Sequence, residues 1–203
     1  MSKLRLGVLI SGSGTNLQAI IDACEAGTLD AEVAVVVANH VDARGLDRAR
    51  RHKIDAVFLD RGEFSGPHAY NTAIRDEMRS RGVDYVVMAG YMRLLGSEVL
   101  DAFPNRVLNI HPALLPSFAG AHGIKDAFEY GVKVTGVTIH FANEVFDEGP
   151  IIAQEAVVIE ESDRLETLEA KIHAVEHRLY PEVLQKIAEG RLTIDGRVVR
   201  IAE

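Results

Sequence analysis

The segment Leu6-Gly7-Val8-Leu9-Ile10, followed closely by Gly12-Ser13-Gly14-Thr15-Asn16, decides the class of fold. The first part is a near-continuous apolar run, which is typical of a strand buried on both faces of a parallel sheet. The second part is a glycine-rich turn, after which a helical pattern covers residues 17–26 and ends at Gly27. This order of strand, turn and helix predicts an α/β domain.

The alternation continues as far as residue 110. The predicted strands that follow are 33–38, 56–59, 85–89 and 106–110, and the predicted helices between them are 42–53, 68–81 and 97–103. Strands separated by helices are expected to be parallel, with right-handed crossovers. The sequence therefore predicts a doubly wound, mostly parallel α/β sheet of the Rossmann-like kind.

The rhythm changes after His111. Prolines and glycines predict an irregular loop before a short helix at 125–130, and two strand patterns, 134–141 and 151–159, then follow with only a loop between them. We therefore expect mixed, partly antiparallel strands in the C-terminal part. Asp163-x-x-Glu166 predicts a capping box at the start of a long helix, which Pro181 should kink or restart. A hairpin is predicted at residues 192–199.

Size and charge narrow the classes of function. The 203 residues, 47% of them hydrophobic, fit one domain with a substantial core. The net charge of −8 argues against nucleic acid or an anionic membrane as partner, but a small anionic ligand needs only a local positive site. The lone cysteine, Cys24, and the lack of an apolar run near about 18 residues predict a cytoplasmic protein in a reducing compartment.

The glycine-rich turn is the first candidate site. Gly12 and Gly14 let the backbone approach a ligand, and the helix start offers free N–H groups and the positive end of a dipole. Thr15 and Asn16 add side-chain donors. The turn suits a phosphate, although a tight turn without ligand remains an alternative. A nicotinamide dinucleotide is disfavoured, because Asn16 replaces the third glycine of that fingerprint and Asn39 ends the second strand where an acid is expected.

A second candidate site is Asn109-Ile110-His111-Pro112. Asn109 and His111 project to the same side of a strand, at the carboxyl end where ligands bind in open α/β folds. Pro112 keeps His111 extended. Two converging polar side chains suggest a ligand, but a structural His–Asn pair is also consistent with this pattern.

The loop at residues 143–150 is a third region of interest. It carries Glu144, Asp147 and Glu148 before Gly149-Pro150. From residue types alone it could be a solvated turn, and this is our interpretation for Glu144 and Glu148.

Four segments together resemble the folate-dependent formyltransferases. Asn109-Ile110-His111-Pro112-Ala113-Leu114-Leu115-Pro116 is similar to that family's signature. The turn at 12–16 and the segments 89–95 and 146–150 are similar to the branch that acts on glycinamide ribonucleotide. The similarity extends from residue 6 to about 190. It implies formyl transfer from 10-formyltetrahydrofolate, as co-substrate and without a metal, to the amine of that ribonucleotide.

The resemblance also implies residue roles. Asn109, His111 and Asp147 would be the catalytic trio, while Gly14, Thr15 and Asn16 would hold the phosphate and Glu176 the ribose. The folate would be bound by Met92, Arg93, Leu94, Leu95, Asn109, Ala142, Asn143 and Asp147. Residues 1–203 would form one domain, with a phosphate-binding half at 1–110 and a folate and catalytic half at 111–203. The protein would be a monomer or a homodimer that takes small-molecule substrates only.

Some points stay open at this level. Ser117-Phe118-Ala119-Gly120 departs from many relatives, which carry a proline before the glycine, and this puts the rigidity of the loop in doubt. His140 is either a hydrogen-bonded core residue or part of the site, while His122, His173 and His177 are interpreted as structural or surface residues. Other formyl-folate enzymes share the trio, and a regulatory module would share the phosphate turn.

The trio suggests a mechanism. Attack of the amine on the formyl carbon creates a negative oxygen, to which a protonated His111 and the amide of Asn109 could donate. Asp147 would favour the imidazolium form and could hold a water that relays the proton. No covalent intermediate with the enzyme is required.

Overall fold

Nine strands and six helices lie within residues 3–202, the part of the chain that the computed structural model describes. The strands are β1 (Leu4–Ile10), β2 (Ala31–Ala38), β3 (Asp55–Phe58), β4 (Tyr85–Met88), β5 (Val107–His111), β6 (Val134–Phe141), β7 (Ile151–Val158), β8 (Leu192–Asp195) and β9 (Val198–Ile201). The helices are α1 (Thr15–Ala26), α2 (Arg44–Arg51), α3 (Pro67–Ser80), α4 (Ser97–Leu100), α5 (Gly123–Tyr130) and α6 (Leu165–Ala188). None of the helices in this part of the chain is both long enough and apolar enough to cross a membrane.

All nine strands belong to one sheet, in the order β3-β2-β1-β4-β5-β6-β7-β9-β8. Strands β1 to β5 are parallel, and the order reverses between β1 and β4, which confirms the doubly wound prediction. The pairs β5–β6 and β6–β7 are antiparallel, as expected for the C-terminal part. The predicted hairpin is also present, with β8 and β9 antiparallel.

The sheet is covered on both faces. Because side chains alternate along a strand, Val8 and Ile10 face the core that contains α1 and α6, and Leu9 faces the core that contains α3 and α4. The side chains of Val8, Leu9 and Ile10 are all fully buried, and this explains the continuous apolar run in β1.

One predicted helix feature is wrong, and of the two outcomes predicted at Pro181, a kink or a restart, the restart does not occur. Helix α6 is capped at Arg164, whose N–H donates to Thr167 Oγ1 at 2.9 Å, whereas Asp163 accepts from Thr167 Oγ1 and Lys171. Pro181 does not restart the helix either, since α6 continues to Ala188. Its buried neighbour Tyr180 and the following buried turn hold both sides of the proline in the core, so that packing outweighs the lost hydrogen bond.

Helix boundaries differ in smaller ways. Helix α1 begins at Thr15, two residues earlier than predicted, because Gly14 adopts a left-handed conformation with φ 69° and turns the chain directly into the helix. Helix α2 ends before Lys53, which has a positive φ of 58°. Helix α4 is a single turn.

Candidate active site

The three residues expected to carry the chemistry meet at the carboxyl end of β5. Asn109 and His111 lie on this strand, and the loop after β6 brings in Asp147. Asn109 Nδ2 lies 3.3 Å from Asp147 Oδ1, and His111 Nδ1 lies 3.4 Å from Asp147 Oδ2. The side chains of His111 and Asp147 are each only 5% exposed, so their mutual attraction is little screened by solvent.

His111 is held from two sides. Its Nε2 lies 2.8 Å from the carbonyl oxygen of Phe118, and its Nδ1 faces Asp147. Both partners are acceptors, so a doubly protonated ring satisfies both contacts. A Cβ at Gly123 would stand 3.1 Å from Nε2, so the absence of a side chain there gives the imidazole its room.

Asp147 is fixed by its backbone and by its surroundings. It has a positive φ of 57°, and its Oδ2 accepts the N–H of Gly120 at 2.8 Å. Burial acts to raise the pKa of Asp147, but the contacts with His140, Gly120 and His111 together outweigh it, so that the pKa is lowered. The carboxylate is therefore the stable form at neutral pH.

The segment at residues 117–120, which lacks the proline that many relatives carry, belongs to this site. The carbonyl of Phe118 contacts His111, and the N–H of Gly120 contacts Asp147. The Phe118 ring packs edge-on against Tyr130, with centroids 5.8 Å apart. The loop is thus anchored without the proline, by contacts that sequence alone did not reveal.

His140 lies beside the trio. It is opposite Asn109 in the antiparallel pairing of β5 with β6 and is 1% exposed. Its Nε2 lies 3.2 Å from Asn109 Nδ2, and its Nδ1 lies 2.9 Å from the carbonyl oxygen of Phe141. His140 is thus a buried, hydrogen-bonded residue that also contacts Asn109, a position that agrees with both alternatives left open by the sequence.

The glycine-rich turn and helix α6 meet on the other side of the crevice. Asn16, which is 8% exposed, donates from Nδ2 to Glu176 Oε2 at 3.1 Å, while its Oδ1 is buried without a partner. Gly14 is packed so closely that a Cβ would lie 2.7 Å from the Cα of Gly45. Arg48 closes the outside of the turn by donating to the carbonyl of Ser13 at 2.9 Å. Thr15 begins α1 within this turn.

His173 is a further member of the polar cluster around Asn16 and Glu176, which the sequence did not predict. Its Nδ1 lies 2.8 Å from Glu176 Oε2, and this hydrogen bond is the main reason that the pKa of His173 is raised. The ring of His177 stacks on it, with centroids 6.1 Å apart, and burial lowers the pKa of His177. The spacing of 173, 176 and 177 on one helix was the available signal.

Three of the eight residues expected on the folate side line a cavity of about 300 Å³. Met92, Arg93 and Leu94 line it together with Phe146 and Arg61, and Met92 is 65% exposed. Leu95 differs, since its side chain is 3% exposed and packs in the core with α3 and α4. A larger groove, of about 510 Å³, lies between α1 and α6, and none of the trio lines either the groove or the smaller cavity.

Hydrogen bonds fix the start of the loop after β6 and also the segment that carries Arg93. The N–H of Ala142 donates to the carbonyl of Val107 at 2.8 Å, and Asn143 Oδ1 accepts the N–H of Val145 at 3.1 Å. With its side-chain amide turned so that both neighbours are satisfied, Asn39 accepts from Arg93 Nε at 2.9 Å and donates to Ser11 Oγ at 2.8 Å. Arg93 is therefore held by an amide, and Asn39 is a positioning residue that sequence reasoning missed.

Within residues 3–202, no group of three His, Cys, Asp or Glu side chains is arranged to hold a metal ion. The chemistry available to this site comes from an imidazole, an amide and a carboxylate. Together they can stabilise a developing negative charge and move a proton.

A doubly wound sheet with polar side chains gathered at the carboxyl end of β5 is the arrangement of an α/β enzyme that binds its ligands in the crevice at that edge. The formyl transferase family model matches residues 4–184, and the chain belongs to that family. A phosphoribosylglycinamide formyltransferase of Haemophilus influenzae is 44% identical over 191 residues, which are 94% of this chain and 90% of that relative.

Solved structures give the same result. The glycinamide ribonucleotide transformylase 1 of Symbiobacterium toebii superposes with a TM-score of 0.97 at 51% identity, over 100% of this chain and 95% of that one. The phosphoribosylglycinamide formyltransferase of Bacillus halodurans gives a TM-score of 0.88 at 49% identity, over 90% and 94%. Within the family, the chain belongs with the phosphoribosylglycinamide formyltransferases.

Proposed function

We propose that Asn109, His111 and Asp147 transfer the formyl group of 10-formyltetrahydrofolate to the amine of glycinamide ribonucleotide. The chain has this formyltransferase activity, a step of purine biosynthesis, in common with its relatives. The observation that carries the assignment of residues is the convergence of the trio in one buried cluster, with 3.3 Å and 3.4 Å between the paired atoms.

The amine nitrogen forms a bond to the formyl carbon, and the electron pair of the carbonyl moves to its oxygen. The imidazolium of His111 and the second N–H of Asn109 donate to this oxyanion. The amine then loses a proton, which a water held by Asp147 passes to the folate nitrogen. The electron pair on the oxyanion then re-forms the carbonyl, and the bond between the protonated folate nitrogen and the formyl carbon breaks, giving formylglycinamide ribonucleotide and tetrahydrofolate.

Two binding regions flank the trio in this proposal. The N–H groups at Gly14, Thr15 and Asn16 take the phosphate, supported by the dipole of the 12-residue helix α1. The unpartnered Oδ1 of Asn16 can only accept, so it would take a hydrogen from a ligand hydroxyl or a water and not from the phosphate. Glu176 takes the ribose hydroxyls. The formyl folate occupies the cavity beside Met92, Arg93 and Leu94, with backbone contacts alone at Leu95.

The residues around the pterin complete the folate side. Asn109, near the end of β5, borders the folate site together with Ala142, Asn143 and Asp147 from the loop after β6. We propose one domain in which 1–110 supplies the phosphate site and 111–203 most of the folate and catalytic site. The halves are interdependent, because Asn16 contacts Glu176 and Phe146 shares a cavity with Arg93.

The protein acts on small molecules in the cytoplasm in this proposal, without nucleic acid, as a monomer or homodimer. The supporting observations are the net charge of −8 and the half-buried Cys24, whose pKa burial raises to about 11 and which is therefore a poor nucleophile. Light scattering at two concentrations distinguishes the monomer from the dimer.

The deciding experiment is an absorbance assay of folate release with and without glycinamide ribonucleotide. Release that requires the ribonucleotide, with mass-spectrometric detection of the formylated product, is expected. Release to water at the same rate without the ribonucleotide would indicate a hydrolase instead. Binding of the ribonucleotide with no response to the folate would indicate a regulatory module.

A further inference from the structure

The buried residue His140 is not part of the mechanism described above, although it touches that site. It lies on β6 at the position where the pairing with β7 shifts register, between Ile139 and His140. Such irregularities change the direction of a side chain. Here the imidazole lies against Asn109, with only 1% of His140 exposed to solvent.

The contacts of His140 define its tautomer. Nδ1 lies 2.9 Å from the carbonyl oxygen of Phe141, which can only accept, so Nδ1 carries a hydrogen. In a neutral imidazole the other nitrogen, Nε2, is then an acceptor. It faces Asn109 Nδ2 at 3.2 Å, which is a donor.

The same contacts define the orientation of the Asn109 amide. Its Nδ2 faces two acceptors, His140 Nε2 and Asp147 Oδ1, at 3.2 and 3.3 Å. Turning the amide over would place its oxygen against both acceptors, which is unfavourable. His140 Nε2 lies 3.7 Å from Asp147 Oδ1, too long for a hydrogen bond in this geometry, and its closer partner is Asn109 Nδ2 at 3.2 Å.

We propose that His140 is a positioning residue, which accepts one hydrogen of the Asn109 amide so that the second, which faces Asp147 Oδ1 at 3.3 Å before substrates bind, points into the site where the formyl oxygen lies. The inference rests on the proposed function, in which Asn109 stabilises the oxyanion. His140 does not itself exchange a proton with the substrates, because one ring nitrogen donates to a carbonyl and the other accepts from Asn109.

A set of variants tests this role. His140→Leu removes the acceptor, and we expect kcat to fall about 10- to 100-fold with both KM values unchanged, because a misdirected donor affects the transition state. His140→Gln keeps one donor and one acceptor, and it should recover most of the loss. Ile139→Val on the same strand is the matched control, which should lower the melting temperature without changing kcat.

A double-mutant cycle separates positioning from a general structural effect. In an Asn109→Ala background, His140→Leu should have no further effect on kcat. An equal fall in kcat in both backgrounds would overturn the proposal, as would a His140→Gln variant no more active than His140→Leu at equal melting temperature.

A measurement without turnover keeps the inference distinct from the proposed function. Nitrogen-15 NMR of histidine-labelled protein at neutral pH should show His140 with a protonated Nδ1 and an unprotonated Nε2. A protonated Nε2 would overturn the positioning role. Absence of formyl transfer by the wild-type protein would instead contradict the proposed function, whatever the tautomer.

Discussion

His111 has both ring nitrogens engaged before any ligand arrives, by the Phe118 carbonyl and by Asp147. To donate to the oxyanion that forms during the reaction, one ring nitrogen of His111 must therefore leave its present partner, or share its hydrogen between that partner and the oxyanion. His111→Ala removes the donor, so we expect kcat to fall about 10²- to 10³-fold with little change in KM. Steady-state kinetics measure this, with the exposed His122→Ala as control. Near-wild-type turnover in His111→Ala would contradict the mechanism.

Asp147 should also act on His111 through its negative charge, since Oδ2 lies 3.4 Å from Nδ1. Asp147→Asn keeps the shape of the side chain but removes the negative charge that favours imidazolium. If the imidazolium is the active form, turnover should fall at neutral pH and partly recover as the pH is lowered. A pH–rate profile measures this. A loss that low pH does not repair would point instead to a proton-relay role for Asp147.

The lowered pKa of Asp147 has a consequence for stability. A carboxyl whose pKa is lower in the folded than in the unfolded protein stabilises the fold above the unfolded pKa, and this contribution is lost as the pH falls through the folded pKa. The difference in free energy of unfolding between wild type and Asp147→Asn should therefore be present at pH 6 and shrink below pH of about 4. Denaturant melts at several pH values measure it, and a difference that grows in acid would refute the assignment.

At the scale of elements, the contact between the start of α1 and the middle of α6 joins the two sides of the phosphate site through Asn16 and Glu176. Asn16→Ala removes that contact and a donor, but nothing on the folate side. We expect ribonucleotide binding to weaken about tenfold, the size of one hydrogen bond to a charged group, with folate affinity nearly unchanged. Calorimetric titration with each ligand measures this, and the exposed Asp22→Asn on the same helix is the control. Equal losses for both ligands would mean that the turn is purely structural.

Gly14 is a poorer place for the same test. Its φ of 69°, together with the 2.7 Å that would separate an added Cβ from the Cα of Gly45, means that Gly14→Val strains the fold itself. A loss of ribonucleotide binding in that variant would not distinguish a direct contact from a displaced α2.

At the scale of the whole molecule, one sheet passes through both halves of the chain, with β5 and β6 paired across the boundary near residue 110. The halves also share polar contacts, as between Tyr180 and the carbonyls of Met88 and Leu108. We expect a single cooperative thermal transition, whose midpoint rises with either ligand. Scanning calorimetry measures this. Two separate transitions, each shifted by a different ligand, would show that 1–110 and 111–203 are independent units.

The sequence by itself determined the α/β class, the parallel strands up to β5, and the turn and strand end at which polar residues lie. These follow from local periods and from the conformational freedom of glycine, which act over a few residues. The resemblance to the formyltransferases added Asp147, whose loop has no periodicity of its own. The capping role predicted for Asp163 was wrong and the restart predicted at Pro181 does not occur, because the side chain of Thr167 and the burial of Tyr180 override local preference.

Only the tertiary structure decided which side chains touch. The contacts of His140 with Asn109, of Phe118 with His111, of Gly120 with Asp147 and of Glu176 with Asn16 join residues 7 to 160 positions apart. Hydrogen bonds depend on distances of a few ångströms and on the direction of a donor, which strand register and loop anchoring set together. A pattern along one chain segment carries no information about either, and so the role of His140 and the engagement of both nitrogens of His111 could not be predicted from it.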